Sequence, residues 1–281
     1  MKWFIRKFLT VLVIGILAVL ASGCFGNYFK NQSEKIELKE TLEAEEINEI
    51  TIDGELAEIH IHTHDQNKIT AEVTGKTSNN LVTDFQVDTS GKSAIIKLSQ
   101  DQKSPISLNF SEPKLNVYIP DKMYETLTLR TAFGDLTSEQ KLLSKRININ
   151  ADEGNIVLNG YQGEVIKGNI NLGNITLHSI DASFDLETAE GDVNVSLNTG
   201  LKGKNQINAK FGDVKIKLPK EPEILSFDLR AKFGEIHSDF SFVDTSNSDD
   251  NVLKGEIGQP ATNSPTLSVI TESGHITLLR H

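Results

Sequence analysis

Leu129-Arg-Thr-Ala-Phe-Gly134-Asp-Leu136, Ile149-Asn-Ala-Asp-Glu-Gly154-Asn-Ile156, Leu186-Glu-Thr-Ala-Glu-Gly191-Asp-Val193 and Ile207-Asn-Ala-Lys-Phe-Gly212-Asp-Val214 superpose without a gap. The same frame fits around Gly173, Gly234 and Gly274, so the glycines fall 20, 19, 18, 21, 22 and 40 residues apart, the last step being about two periods. Five places before the glycine stand Leu129, Ile149, Gly168, Leu186, Ile207, Leu229 and Val269. Three places before it stand Thr131, Ala151, Ile170, Thr188, Ala209, Ala231 and Thr271, and two places after it Leu136, Ile156, Ile175, Val193, Val214, Ile236 and Ile276.

Apolar residues spaced by two lie on one face of a strand, so each unit reads as two short strands meeting at a glycine corner. One unit cannot bury its apolar face alone, whereas stacked units bury each other's. The expected fold class is therefore all-β, a parallel β-solenoid from about residue 121 to residue 281. Seven or eight rungs at about 4.8 Å each would make a rod of roughly 35 Å. Residues 47–120 carry strand-like runs separated by polar turns, with Gly54-Glu-Leu echoing the repeat, and read as a β-rich cap on the first rung. Residues 243–264, rich in Ser, Asp and Asn, read as a loop inserted in a rung.

Upstream, Met1-Lys-Trp-Phe-Ile-Arg-Lys7 is a positive segment followed by an apolar run to Leu20 and then Ala21-Ser-Gly-Cys24. This is the order of a secretory leader, residues 1–23, and the small residues before the cysteine resemble a bacterial lipobox. Cys24 is the expected lipidation site, with residues 24–46 as a polar tether. Two acyl chains, at about 0.8 kcal/mol per buried CH₂, anchor a protein stably. An uncleaved apolar helix would equally leave the body outside the cytoplasmic membrane. With a single cysteine in 281 residues, no internal disulfide can form. The formal charge of −11 (28 − 39) becomes −14 without Lys2, Arg6 and Lys7, which disfavours nucleic-acid partners.

The opening Ile50-Thr-Ile52-Asp-Gly54, the strand end Val117-Tyr-Ile-Pro120 and the ordered Gly-Asp/Asn-Ile/Val corners together resemble the DUF4097 family of adhesin-like proteins, which includes LiaG-like envelope proteins. The resemblance covers residues 47–281. It implies a solenoid-like envelope protein and carries over no catalytic residues or cofactor.

Three groups of residues are candidate sites. His60, His62 and His64 alternate on one strand, a spacing compatible with zinc or copper, or with a plain solvated face. Asp135, Asn155, Asn174, Asp192, Asp213, Glu235 and His275 follow the corner glycines and would line one edge, facing a partner, a cation or sugar hydroxyls, or simply water. Phe211 and Phe233, with Phe133, precede corner glycines and would either close the core or form an aromatic ledge on neighbouring rungs. Gly-x-Ser-x-Gly, His-Glu-x-x-His and phosphate-loop motifs are absent. The expected function is a non-enzymatic, lipid-anchored surface rod binding an envelope protein or carbohydrate, without a cofactor. The rivals are a polysaccharide-active β-helix enzyme and an accessory regulator of an envelope-stress response.

Overall fold

The computed structural model describes residues 33–78, 81–102, 113–240, 243–244 and 251–280. The leader, residues 1–23, and Cys24 lie outside them. All elements among the described residues are β-strands, and no helix there is long and apolar enough to cross a membrane.

Each corner unit runs as one strand, bends at its glycine and continues on a second, facing sheet: Leu142–Glu153 leads into Ile156–Leu158, Lys204–Phe211 into Val214–Leu218. In spatial order the first sheet holds Ser93–Gln102, Glu49–Gly54, Tyr124–Phe133, Leu142–Glu153, Tyr161–Leu172, the latter half of Ile175–Glu190, Lys204–Phe211, Thr266–Ser273 and Leu225–Phe233, all parallel. The second sheet stacks the partner halves in the same order, from Lys114–Pro120 and Glu58–His64 to Ile276–Arg280 and Ile236–Ser238. Antiparallel strands close the ends: Leu81–Ser90, Lys68–Ser78 and Ser33–Glu43 at one, Val252–Ile257 at the other. The fold is thus all-β and solenoid-like.

The inward register matches the sequence pattern. Every residue five or three places before a corner glycine is buried, and of those two places after, only Ile236 is half-exposed. Ile236 lies on the outermost strand of the second sheet, so one flank has no neighbouring rung. Each buried aliphatic contributes about 1.5–3 kcal/mol by leaving water. Tyr161 and Tyr124 carry polar tips inside: the Tyr161 hydroxyl donates to the Ser144 carbonyl at 2.7 Å and the Tyr124 hydroxyl to the Pro120 carbonyl at 3.1 Å. Burial pushes the Tyr161 pKa up to about 12, so it stays neutral.

The corners explain the glycines. Gly173 has φ 144°, which side-chain-bearing residues rarely adopt, and a Cβ there would overlap the carbonyl oxygen of Gly154. The same overlap recurs along the edge, Gly134 against Ala57, then Gly154, Gly173, Gly191, Gly212, Gly274 and Gly234, each against the one before.

That order departs from the sequence at three points. First, the final strand pair, Thr266–Ser273 and Ile276–Arg280, threads between the rung at Gly212 and the rung at Gly234. Asn205, fully buried, pins it: its amide donates to the Thr266 carbonyl at 2.9 Å, while the Thr266 N–H reaches Gly203. Second, within residues 243–264, Val252–Ile257 is a strand that ends the parallel stacking of the first sheet, pairing antiparallel with Leu225–Phe233 on one side and with Val243–Asp244 on the other. Third, residues 24–46, expected as a polar tether, include a strand of the fold. Ser33–Glu43 is an edge strand, because Ile36, Leu38 and Leu42 alternate and pack on the core. Residues 47–120 contribute a true rung, Glu49–Gly54 with Glu58–His64, flanked by capping strands.

Truncating Ile156, which is fully buried, to Ala should cost about 2–5 kcal/mol in chemical denaturation. Gly173→Ala should destabilise as well, through overlap with fixed backbone rather than a cavity. Deleting residues 266–281 should abolish the cooperative transition, since it removes a central rung rather than an end.

Candidate binding surface

The outward residues of the first sheet form two rows running across the strands. One row aligns Arg130, Asn150, Asn169, Glu187 and Asn208 on successive rungs. The other aligns Thr128, Asn148, Lys167, Asp185, Gln206, Ser268 and Asp228, ending on Lys254 of the capping strand. Strand alternation produces this: the residues between them, such as Ile149 and Leu186, turn into the core.

Two shallow grooves lie in line on this face. One, of about 370 Å³, is lined by Arg130, Asn148, Asn150, Lys167, Asn169, Asp185 and Glu187 among others. The second, of about 890 Å³, is lined by Lys204, Gln206, Ser226, Asp228, Lys254, Glu256 and Ser268 among others. The seven side chains named for the first groove make no hydrogen bond or ion pair among the described residues, although Lys167 and Asp185 are paired in register. Their donors and acceptors are available to a ligand. In the second groove Asp228 takes a bidentate pair from Arg230, 2.7 Å at each contact, with Lys254 at 3.7 Å. The Arg230 guanidinium, above all, holds the Asp228 carboxyl below its ordinary range.

The ladder after the corner glycines comes together, but its oxygens serve the fold. The N–H of Asn155 donates to Asp135 Oδ1 at 2.7 Å, that of Asn174 to Asn155 Oδ1 at 3.1 Å, and that of Asp192 to Asn174 Oδ1 at 2.8 Å. Asp213 and His275 continue it at 2.8 Å each, and the Glu235 N–H ends it on His275 Nδ1 at 3.1 Å. A backbone N–H only donates, so His275 Nδ1 acts as the acceptor there. The aspartates themselves are exposed residues. The ladder is a capping device for the corner backbone, and Asp and Asn recur there because a short side chain spans one rung.

The histidines diverge. His60 lies between Glu58 (2.8 Å) and Glu139 (3.1 Å), His62 stacks on Tyr118 with centroids 4.7 Å apart, and His64 Nδ1 accepts from the Gln66 N–H. Among the described residues no three His, Cys, Asp or Glu side chains converge as a metal site. His60 and its carboxylates instead clamp the Gly54 rung to the Gly134 rung. The aromatic residues do not close the core: Phe133, Phe211 and Phe233 are 49%, 54% and 70% exposed. Nor are Phe211 and Phe233 neighbours, because each aligns with Ser273 of the intercalated strand between them. Cys24 lies outside the described residues.

The grooved face was missed in the sequence because polar outward residues vary from rung to rung. The run Asn148-Ile-Asn150 and the Lys167-Gly-Asn169 that follows one period later were its available signal.

The family model described as Toastrack DUF4097 matches residues 47–182 and again 166–279. No curated protein matches the chain. Among solved structures, a "putative adhesin" from Parabacteroides distasonis aligns with TM-score 0.44 and 14% identity over 88% of this chain and 97% of its own. A "putative cell adhesion protein" from Clostridium sporogenes gives 0.39 and 13%, over 88% and 100%. A "putative lipid binding protein" from Parabacteroides distasonis gives 0.33 and 12%, over 86% and 96%.

Replacing Asn174 by Asp should leave stability nearly unchanged, because a carboxylate oxygen still accepts the Asp192 N–H, whereas Asn174→Leu should cost about 0.5–1.5 kcal/mol. Acid should weaken the fold through Asp228. Its folded pKa is depressed, so the ion pair stabilises above the unfolded carboxylate value and is lost as pH falls through the folded one, below about pH 4. Thermal midpoints should therefore drop more steeply on acidification in the native chain than in Asp228→Asn.

Proposed function

Because the chain belongs to the Toastrack DUF4097 family, we propose that it is a non-enzymatic envelope protein that binds its target on the outer face of the first sheet. The observation that carries this reading is the row of uncommitted amide and charged side chains from Arg130 to Glu187, set in a groove on an otherwise regular sheet. Groups left without partners on a rigid scaffold form hydrogen bonds to a ligand without first breaking internal ones.

Position relative to the membrane follows from the leader. A lipid on Cys24, at the extracytoplasmic face of the cell membrane, would be joined to the fold by residues 25–32, a reach of at most about 30 Å. The end of the stack carrying Ser33–Glu43 would then face the bilayer, with the Gly234 rung outermost.

One observation favours the polysaccharide-active enzyme as a second reading: Asp185 and Glu187 share the first groove with Lys167. Sustained release of new chain ends from wall polysaccharide by the purified protein would establish it, and we expect none.

Cys24→Ser should release the protein from the membrane fraction, and mass spectrometry of the native chain should find a diacylglyceryl cysteine at its mature N-terminus. The released protein should rebind washed envelopes, and Arg130→Ala with Lys167→Ala should lower that rebinding several-fold, as expected for two charge-assisted hydrogen bonds. An intact Met1 would overturn the anchor; unchanged rebinding would overturn the face.

A further inference from the structure

The geometry points to a linear, uncharged, β-1,4-linked glycan as the occupant of this face, lying along the stack axis with about one sugar per rung. The inference rests on the outer face of the first sheet being the binding surface, and it names what that surface holds.

Direction comes first. The two grooves follow the same row, since Asp185 at the end of one is aligned with Gln206 at the start of the other. Outward polar positions therefore recur across the strands at about 4.8 Å. That spacing is close to the advance of an extended β-1,4-linked chain per sugar, so successive sugars meet outward polar positions on successive rungs. A bound peptide would advance about 3.3 Å per residue and falls out of step with the rungs. Peptides also join a sheet through backbone groups at its edge, whereas this surface offers side chains on its face.

Chemistry selects the class. Asn148, Asn150 and Asn169 each present a donor and an acceptor, which suits hydroxyl and acetamido groups that also do both. Charges of opposite sign adjoin, Lys167 beside Asp185, so a polyanion following that row would meet a carboxylate one rung after the lysine. The chain's net charge of −11 repels polyanions further. A neutral chain meets neither penalty.

Lastly, no aromatic side chain lines either groove except Phe227, which is buried in the core beneath the second. Without a stacking platform, each sugar is held by hydrogen bonds alone, each worth little net in water. Useful affinity then requires many rungs at once, which makes it steeply dependent on chain length.

The test is calorimetric titration of the full chain in detergent micelles with cellobiose, cellohexaose, chitobiose, chitohexaose and polygalacturonate. At least one neutral hexasaccharide should bind more than about tenfold tighter than its disaccharide, as expected when single contacts add along the stack. Asn150→Ala with Asn169→Ala should weaken the hexasaccharide about tenfold while leaving the thermal midpoint unchanged. Equal affinity for the disaccharide and hexasaccharide, tighter binding of polygalacturonate, or no neutral glycan bound would each overturn the glycan. If no glycan binds but the Asn150/Asn169 double variant loses envelope rebinding, the glycan falls and the face stands. If no glycan binds and rebinding is also unchanged, both fall.

Discussion

The close approach of one corner backbone to the next governs this molecule. The carbonyl oxygen of each corner glycine occupies the space where a Cβ of the next would lie, from Ala57 through Gly134 to Gly234. Only a residue without a side chain allows that stacking distance. Once it is set, the inter-rung hydrogen bonds fall into place around it. The Gly154 N–H donates to the Leu172 carbonyl and the Ile156 N–H to the Asn174 carbonyl, while the Asn155 side chain takes the Asn174 N–H. The corner leaves few backbone groups for water, so the edge can be narrow and the two sheets can close on a dry core.

The order of rungs follows a second constraint, that every inner rung must be covered on both flanks. At one end the chain lays down the rung at Gly54, moves outward to Ser93–Gln102 and Lys114–Pro120, and returns to pair Tyr124–Phe133 with the first rung. At the other it builds the Gly234 rung and then slips Thr266–Arg280 inside it. Along the first sheet both ends are closed by antiparallel strands, so the parallel stacking of rungs stops there. Placing sequence-distant strands side by side raises contact order, which slows folding of the domain as a whole.

Inside, corner and outer face then carry different duties. The interior is aliphatic and fixes stability. The corner ladder from Asp135 to Glu235, which looks in sequence like a ligand row, satisfies backbone donors. His60, through Glu139, ties the first two rungs together. On the first sheet's outer face the polar side chains from Arg130 to Glu187 have no internal task, and Phe133, Phe211 and Phe233 stand exposed at the corner.

The amino-acid sequence by itself determined the corner register, the inward aliphatics and the all-β class, because period-two burial and a glycine bend are local properties of a few residues. Leu129, Ala151 and Val193 are where the pattern puts them. It left three things to the tertiary structure: the intercalation of Thr266–Arg280, the recruitment of Ser33–Glu43 into the fold, and the roles of the outward side chains. Parallel rungs share nearly the same corner chemistry, so local pattern says that they stack but not in which order. An outward Asn150 acquires its meaning only from what stands one rung away on either side, and that neighbour is some twenty residues distant in the chain.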